Sequence, residues 1–359
     1  MKIRVISPGL VSPLYSQAIY HGIAEAMHLG DDPVLVILQP DSSYISIGLH
    51  QSFEEEINTD YCSKNHLPVI RRHIGGGTVL LDDNQLFFQF IFPKNKAPKE
   101  PKNLYPTLLL PVLQTFHHFG MPASTKGLND ICINEKKIGG TGAASINDAT
   151  VLVGSFMFEF DHERMCSSVN VTSENFRATL LGLMEKTITT INQQLRMPPT
   201  KDALIQIFLQ KVSSILEYEI VEDTLRDNES HAIAVAEKQL SNADWLNEDG
   251  RKLIKNGLKI AAHTYLVEKA STFKDQQLTV RLLIQQQKIT QMWLEGENTA
   301  IQASLLLITN YFNQHSTSLT EQEIIEALKK ATNNLDSICY EDILSLCHYI
   351  LELCQFSEY

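Results

Sequence analysis

The chain has 359 residues, of which 43% are apolar and 20% charged, and its formal net charge is −12. At about 150 residues per domain this length predicts two domains, or three, and the apolar content is ample for folded cores. The negative charge disfavours nonspecific attachment to nucleic acid or to an anionic membrane, and no apolar run approaches the roughly 20 residues that span a bilayer.

Short apolar runs and longer helical patterns alternate through the first two thirds of the chain. Strands are predicted at residues 34–38, 44–47, 87–92 and 151–160, the last two as central strands that are buried on both faces. The first two lie on either side of a turn at Pro40 and Asp41. Helices are predicted at residues 104–119, 173–195 and 201–216. The first of them contains Pro106 and Pro111, which must lie at its start or kink it.

The last third of the chain predicts a smaller domain. Residues 257–269 and 278–294 have strand patterns, with residues 285–288 as their turn, and Ser318 begins a capping-box pattern before an apolar helix. We expect one domain over residues 1–247 and a second over residues 248–359. The polar segments at residues 222–230 and 247–250 are candidate hinges.

Three consecutive glycines, residues 75–77, follow the arginine pair Arg71 and Arg72 and precede a β-forming run. Glycine has no side chain to hold a ligand away, so successive backbone N–H groups can surround the oxygens of an anion. An arginine beside them adds fixed positive charge and paired donors. The pattern favours a phosphate or carboxylate site, although an ordinary turn beside two arginines fits the glycines alone.

A second segment, residues 126–144, predicts a strand, a tight turn at residues 134–136 and a returning strand. Ile131 and Ile133 share one face of the first strand, which leaves Asp130 and Cys132 on the other. Lys137 opens the returning strand just before a glycine-rich bend, where its ammonium can point at a phosphate or carboxylate. Taken alone, this segment also fits a hairpin with a solvated lysine.

Together the two segments resemble the lipoate-protein ligase A family, within the biotin and lipoate ligase superfamily. Members carry RRxSGGGxVxxD before an apolar strand, as residues 71–82 and 86–92 do here, and an ND hairpin that leads into K-I/V-S-G-S-A, as Asn129, Asp130 and residues 137–143 do. Residues 17–27, 43–48, 57–62 and 245–296 are also similar to family segments. Biotin ligases share the hairpin, but the triglycine loop is of the lipoate type.

The resemblance implies an α+β fold: a class II aminoacyl-tRNA synthetase-like mixed sheet flanked by helices, plus a small α+β C-terminal accessory domain. It implies that ATP, with Mg²⁺, activates lipoate to lipoyl-AMP, and that the lipoyl group passes to a lysine of a lipoyl-domain protein. That acceptor is an E2 subunit, an H protein or a lipoate-binding protein. Lys137 is the implied catalytic residue and Asp130 the implied metal ligand. The implied binding residues are Arg72, Gly75, Gly76, Gly77, Thr78, Val79, Leu80, Asn129, Asp130 and Lys137.

Four residues, at three places in the chain, depart from the family pattern. The serine before the glycines is Ile74, the histidine after them is Leu81, and a histidine pair before the long strand is Leu152-Val153. Each change replaces a hydrogen-bonding group by an apolar one. This is compatible with a reshaped acyl pocket, a different acyl group or a weakened enzyme, and also with an inactive relative that only binds acyl groups or nucleotides.

The six cysteines include no CxxC pair. Because the ligands of a zinc site usually lie close together in the sequence, we do not expect a metal site built from these cysteines. Related octanoyl- and lipoyltransferases instead use a cysteine thiolate and no ATP. Cys132 and Cys166 do not stand where those families place their nucleophile, so we expect both to be packed thiols. The first residues lack a signal-peptide pattern, and we expect a cytoplasmic protein.

Overall fold

The computed structural model describes residues 1–252, 254–261, 263–273, 276–296, 299–332 and 338–354. The chain forms two compact units. The larger unit consists of Met1–Asn170 and Leu181–Arg251, and the smaller unit of Val171–Leu180 and Lys252–Tyr359. The domain boundary expected after residue 247 stays a prediction. No helix in the described part of the chain is long and apolar enough to cross a membrane.

Eleven strands form two sheets among the described residues of the larger unit. They are β1 Lys2–Val11, β2 Val34–Pro40, β3 Tyr44–Ile47, β4 Val69–Arg71, β5 Val79–Leu81, β6 Gln85–Pro93, β7 Ser124–Lys126, β8 Asp130–Ile133, β9 Lys136–Ile146, β10 Ala149–Met157 and β11 Glu219–Glu222. The main sheet has the order β11-β1-β2-β6-β10-β9-β8-β7, and the small sheet has the order β4-β3-β5. β1 is parallel to both its neighbours, whereas the pairs from β2 to β7 are antiparallel. The expected mixed sheet is confirmed.

Helices flank the main sheet on both faces. The helices in this part of the chain are α1 Pro13–Ala26, α2 Phe53–Glu56, α3 Thr59–Lys64, α4 Pro101–His118, α5 His162–Ser168, α6 Glu174–Thr187, α7 Ile191–Gln194, α8 Lys201–Leu216, α9 Asp227–Leu240 and α10 Ala243–Leu246, of which α6 begins in the smaller unit and α1, α4, α8 and α9 flank the main sheet. Phe116 of α4 and Phe208 of α8 share a buried cluster with Phe88 of β6. Ile19 of α1 and Ile233 of α9 share another with alternate residues of the same strand, such as Ile91. We call the two sides the α4/α8 face and the α1/α9 face.

The α1/α9 face depends on a close helix–helix approach. Ser12 caps α1 by accepting a hydrogen bond from Tyr15 N, and proline occupies the first helical position. A Cβ at Gly22 of α1 would overlap the backbone of Ile233 in α9. Glycine is therefore required at position 22 for these two helices to pack together over the sheet.

The smaller unit contains a second sheet with its own core. Its elements are β12 Gly257–Ala261, β13 Thr264–Phe273, β14 Gln276–Gln285, β15 Lys288–Gly296, α11 Thr299–Gln314, β16 Thr317–Ser318, α12 Glu321–Ala331 and α13 Tyr340–Leu353. The strands pair antiparallel in sequence order. Apolar side chains of β13, β14 and β15 share a buried cluster with those of the three helices. The small α+β domain implied by the resemblance is present.

A buried ion pair lies within the smaller unit. Arg281 Nε donates to Glu268 Oε2 at 2.6 Å, and the other carboxylate oxygen accepts hydrogen bonds from the hydroxyls of Thr172 and Ser173. Arg281 Nη1 donates to the hydroxyl of Thr179 in α6. The pair holds the short segment Val171–Leu180 against β13 and β14 within this unit.

Several predicted elements differ from the structure for identifiable reasons. The stretch 173–195 divides into α6 and α7 because Ile188 and Thr189 pair with the start of β9 between them. Helix α4 is continuous through Pro106 and Pro111, since apolar side chains on both sides of them are buried. β2 and β3 lie in different sheets and do not form a hairpin. Thr320, not Ser318, caps α12.

Candidate functional site

The triglycine loop (residues 73–78) lies over the α1/α9 face of the main sheet. Ile74 is 2% exposed and belongs to the apolar cluster of that face. Its Cγ2 atom is 2.7 Å from the position that a Cβ on Gly142 of β9 would occupy. Gly76 has a positive φ of 97°, which only glycine adopts without strain. The loop therefore meets the sheet at Gly142.

A β-bulge at the start of β9 determines the direction of Lys137. Ile131 of β8 pairs with Gly139, whereas the next residue, Cys132, pairs with Lys137, so that Ile138 is the extra residue. Ile138 lies with Ile131 in the core of the α4/α8 face. Because neighbours in a strand point to opposite faces, Lys137 points to the α1/α9 face. A regular strand would have turned Lys137 towards the other face, and the bulge redirects it.

The ammonium of Lys137 lies on the same face of β9 as the triglycine loop. Its Nζ is 3.1 Å from the position of a Cβ on Gly140 and 2.7 Å from Asp130 Oδ1. The side chain of Lys137 is 28% exposed and that of Asp130 is 4% exposed. Gly140 and Gly142 are two residues apart in the strand, which is about 7 Å. The predicted catalytic lysine, the predicted acid and the loop therefore converge on one short stretch of β9.

The main chain of Lys137 is held from outside the hairpin. Its carbonyl oxygen accepts a hydrogen bond from Thr189 N at 2.8 Å, and Ile188 forms a parallel bridge with it. The Asn129 carbonyl accepts from both the backbone and the hydroxyl of Thr141, while the Asn129 side chain is exposed. Hydrogen bonds at Lys137 and at Thr141 therefore hold β9 on both sides of Ile138, the extra residue of the bulge.

Arg72 is enclosed by backbone carbonyls. Its Nη1 donates to Ser46 O, and its Nη2 donates to Gly75 O and Gly77 O, each at 2.8 Å. Burial lowers the pKa of the Arg72 guanidinium to about 10. Among the residues that the structure describes, no carboxylate forms an ion pair with it. Arg72 therefore shapes the triglycine loop from within and places a partly buried positive charge beneath it.

The neighbouring side chains on the α1/α9 face include a stack of aromatic rings. The rings of His21 and His73 are parallel with centroids 3.5 Å apart, and the Trp245 ring lies 4.6 Å from that of His73 at an interplanar angle of 33°. Burial lowers the pKa of His21 to about 3 and that of His73 to about 4, so both are neutral at pH 7. His21 Nδ1 and His73 Nε2 are buried without a hydrogen-bond partner in the described part of the chain.

Comparison with known proteins identifies the family. Residues 12–213 match the lipoyl protein ligase A/B catalytic domain. The chain belongs to this family. The match contains every residue of the predicted site.

Named relatives of this family member include ligases and transferases. The probable lipoate-protein ligase A of Mycoplasma pneumoniae is 23% identical over 213 residues, which are 58% of this chain and 62% of that relative. Lipoate-protein ligase A subunit 1 of Thermoplasma acidophilum is 27% identical over 248 residues, 66% of this chain and 90% of the relative. Octanoyltransferase LipM of Lysinibacillus sphaericus is 21% identical over 267 residues, 67% of this chain and 96% of the relative.

Solved structures share the fold of this family member. A bi-partite lipoate protein ligase from T. acidophilum, described with its E2 lipoyl domain, has a TM-score of 0.63 at 24% identity, over 70% of this chain and 97% of that one. LipL1 of P. falciparum in complex with lipoate has a TM-score of 0.54 at 14% identity and covers 98% of this chain and 99% of its own. The second similarity extends over both compact units.

The departures from the family pattern fall on different faces of the sheet. Ile74, Leu81 and Val153 all belong to the apolar cluster of the α1/α9 face, and Val153 pairs with Gly142 across β10 and β9. Leu152 is buried on the opposite face. Three of the four apolar replacements therefore form one surface near the triglycine loop, whereas the fourth belongs to the core behind the sheet.

The other predicted binding residues lie around the loop. Thr78 contacts the side chain of Gln51, Val79 is partly exposed at the start of β5, and Leu80 is buried within that strand. Gln51 and Thr189 contact the site but belong to neither motif. They approach it through tertiary contacts, and no sequence pattern marks them.

The cysteines of the larger unit are enclosed in the fold. Cys62, Cys132 and Cys166 are all buried, and burial raises the pKa of the Cys62 and Cys132 thiols. A raised pKa disfavours the thiolate that a nucleophile needs. Within the described ranges, no three His, Cys, Asp or Glu side chains come together as metal ligands. The metal role of Asp130 stays a prediction.

Proposed function

We propose that this chain is a lipoate-protein ligase: it activates lipoate with ATP to lipoyl-AMP and transfers the lipoyl group to a lysine of a lipoyl-domain protein. The observation that carries the proposal is the position of the Lys137 ammonium, which lies on the same face of β9 as the triglycine loop. A carboxylate and a phosphate bound against that loop would both lie within reach of this charge.

In the first half-reaction a carboxylate oxygen of lipoate attacks the α-phosphorus of ATP, and the bond to the pyrophosphate oxygen breaks. Negative charge accumulates on the phosphoryl oxygens as the new bond forms. Lys137 stabilises this charge, because a preorganised cation acts strongly in a site shielded from water. The positive charge of Arg72, which lies beneath the loop, also stabilises the negative charge on the phosphoryl oxygens.

In the second half-reaction the amine of the acceptor lysine attacks the acyl carbon, the bond to the AMP oxygen breaks, and the amine loses a proton. Lys137 remains beside the acyl oxygen and the departing phosphate. No protein nucleophile is required for either step. The protein therefore contributes position and charge, which fits a site whose main groups are an ammonium, a guanidinium and backbone amides.

We propose that Asp130 holds Mg²⁺ together with the phosphates of ATP. Mg²⁺ at nucleotide sites is usually held by one or two carboxylates, phosphate oxygens and waters, so the donor set fits. The ion would neutralise phosphate charge when bound. The Asp130 carboxylate also forms an ion pair with the Lys137 ammonium at 2.7 Å, which limits where that ammonium can lie.

The acceptor is proposed to be a lipoyl-domain protein, namely an E2 subunit, an H protein or a lipoate-binding protein. The similarity to a ligase described with its E2 lipoyl domain supports the first of these. We propose a cytoplasmic location, with no nucleic acid or membrane as partner, because the net charge of −12 disfavours both surfaces.

The adenylation step is tested by pyrophosphate release from ATP in the presence of lipoate. Lys137→Ala should reduce release by about a hundredfold or more, the size of effect seen when a transition-state donor is removed. Lys136→Ala is the matched control, because its exposed side chain points away from the loop. Near-normal pyrophosphate release by the Lys137→Ala variant would show that Lys137 is not needed for adenylation.

A second function is favoured by the match to octanoyltransferase LipM, which covers 96% of that relative. Such an enzyme would form a thioester on cysteine and transfer the acyl group without ATP. The buried thiols of the larger unit argue against it. Incubation with octanoyl carrier protein and no ATP, using Cys132→Ser, Cys166→Ser and Cys62→Ser variants, tests for this transferase activity.

Binding of ATP and lipoate without pyrophosphate release or acyl transfer would instead indicate a non-catalytic binding protein.

A further inference from the structure

Residues 48–52 form a short segment, here the bridging segment, that is in direct contact with the triglycine loop. Leu49 N donates to Ile74 O at 3.1 Å, and a Cβ at Gly48 would overlap the Gly76 carbonyl. The side chain of Gln51, which is 2% exposed, accepts from Gly48 N and donates to the hydroxyl of Thr78 at 3.1 Å. Three separate contacts therefore connect this segment to both ends and the middle of the loop.

The opposite side of the bridging segment contacts residues 245–251, here the terminal segment. Arg251 N donates to His50 O at 3.0 Å, Ser52 N donates to Arg251 O at 3.2 Å, and a Cβ at Gly250 would overlap the Gln51 carbonyl. The two backbones thus run side by side without space for a side chain between them. Only glycine at position 250 permits this approach.

Arg71 fastens the same two segments together. Its Nη1 donates to Leu49 O and Gln51 O at 2.8 and 2.6 Å, and its Nη2 donates to Leu246 O and Glu248 O at 2.8 and 3.0 Å. A bidentate guanidinium between four carbonyls is a rigid connection, because its donors have fixed geometry. The predicted hinge at residues 247–250 is therefore tied to the body of the larger unit.

We propose that Gln51 is a positioning residue that couples the terminal segment to the triglycine loop. Its backbone belongs to the pairing with Arg251, and its side chain holds Thr78, so a displacement of one side shifts the other. The terminal segment ends where the smaller unit begins, at Lys252. Through Gln51, the conformation at this point determines whether the loop amides are placed to bind an acid and a nucleotide. The kinetic part of this inference rests on the proposed ligase activity.

Hydrogen exchange measured on the full-length chain tests the coupling without reference to activity. Gly250→Ala substitutes a residue of the terminal segment, yet we expect it to speed exchange of the Leu49 amide, which donates to Ile74 O of the loop, by about fivefold or more, the effect of losing about 1 kcal/mol of hydrogen bonding. Gln51→Met should do the same. In the double variant the second change should add little, because Gln51→Met has already disconnected the two sides.

Two further variants keep the test decisive. Thr115→Val, which removes a buried hydroxyl bond to Pro111 O within α4, is the control for a general loss of stability and should leave exchange of the Leu49 amide unchanged. If Gly250→Ala does not fold, Arg71→Lys acts on the same connection, since it keeps the charge but loses the paired carbonyl contacts. Unchanged exchange of the Leu49 amide in a folded Gly250→Ala or Arg71→Lys protein, or additive effects in the double variant, would overturn the coupling.

Kinetics separate positioning from mere stabilisation. If the chain is a ligase, Gly250→Ala and Gln51→Met should raise KM for lipoate or ATP about fivefold with a smaller change in kcat, whereas Thr115→Val should alter neither. Equal KM values in all variants would contradict the inference. If the unmodified chain releases no pyrophosphate, the proposed function fails, and the exchange measurements still determine whether Gln51 couples the segments.

Discussion

The Cγ2 atom of Ile74 lies 2.7 Å from the point that a Cβ on Gly142 would occupy, so the two positions constrain each other's size. Real side chains do not approach this closely. Isoleucine in the loop therefore requires glycine in the strand. The apolar replacement at position 74 and the missing Cβ at position 142 form one packing arrangement between the triglycine loop and β9.

Gly142→Ala should destabilise the larger unit by about 1–3 kcal/mol, because the added methyl overpacks a buried contact. In the double variant with Ile74→Ser the clash is absent, so the combined effect should be smaller than the sum of the single effects. Urea unfolding followed by Trp245 fluorescence measures each value. Simple additivity would show that the two positions do not interact.

Gly140→Ala should impair adenylation while leaving stability nearly unchanged. The new Cβ would lie 3.1 Å from Lys137 Nζ and 3.2 Å from Cε, which are the mobile end of a flexible side chain. The lysine can move aside at little cost, but a misplacement near 1 Å can reduce a rate by about a hundredfold. Pyrophosphate release and urea unfolding are the two measurements.

Gly182→Ala in α6 is the matched control for this change. Nothing lies within 4 Å of a Cβ at that position, and a helical glycine replaced by alanine gains up to about 1 kcal/mol of stability. The Gly182→Ala variant should release pyrophosphate at the same rate as the unmodified chain. A normal rate in Gly140→Ala would mean that the direction of the Lys137 ammonium is not critical.

Stability should fall as the pH is lowered from about 6.5 towards 4. The unfolded histidines bind protons below about pH 6.5, whereas burial lowers the pKa of His21 to about 3 and that of His73 to about 4. Unfolding therefore takes up protons in this window. The free energy of unfolding falls by at most about 1.4 kcal/mol per pH unit for each histidine as the pH is lowered. His21→Phe should flatten the dependence of unfolding free energy on pH.

The control for that measurement is His66→Asn, an exposed position whose positive φ suits asparagine. It changes the number of histidines without touching the ring stack. An unaltered slope in His21→Phe would show that the stacked pair does not govern the acid stability of the larger unit.

Glu268→Gln should destabilise the smaller unit by about 3–5 kcal/mol, because it leaves the buried Arg281 without its main counter-charge. Glu295 also contacts Arg281, but its side chain is 43% exposed, so Glu295→Gln should cost less than about 1 kcal/mol. Trp293 lies in this unit and Trp245 in the larger one, so fluorescence at each can be separated by single Trp→Phe variants. Equal losses for the two glutamates would refute the buried-pair account.

The two motifs were sufficient to predict the family, the mixed sheet and the turn at residues 134–136, where Asn134 and Glu135 adopt the positive φ of a tight hairpin turn. Local chemistry determines such turns. The direction of Lys137 was not predictable in the same way. Simple alternation from residues 139 and 141 assigns it to the apolar core, and only the unmarked bulge at Ile138 reverses this.

The arginines illustrate a second limit of the sequence. A GGG stretch beside Arg71 and Arg72 predicts donors aimed at a ligand, but in the structure both guanidiniums bind carbonyls of their surroundings. The partners of Arg71 lie near residues 50 and 247, which are close only in the folded chain. A sequence motif does not show which distant carbonyl groups the fold will bring to a side chain. Gln51 was not predicted for the same reason.

The solitary charge of Arg72 has a practical consequence. A folded chain that holds a guanidinium beneath the triglycine loop, with no paired carboxylate among the described residues, should gain stability from any small acid that binds there, by RT ln(1 + [L]/Kd). The melting temperature then reports ligand binding without requiring enzymatic activity. A panel of carboxylic acids that differ in length and in sulfur content could be ranked by the rise in melting temperature that each one causes.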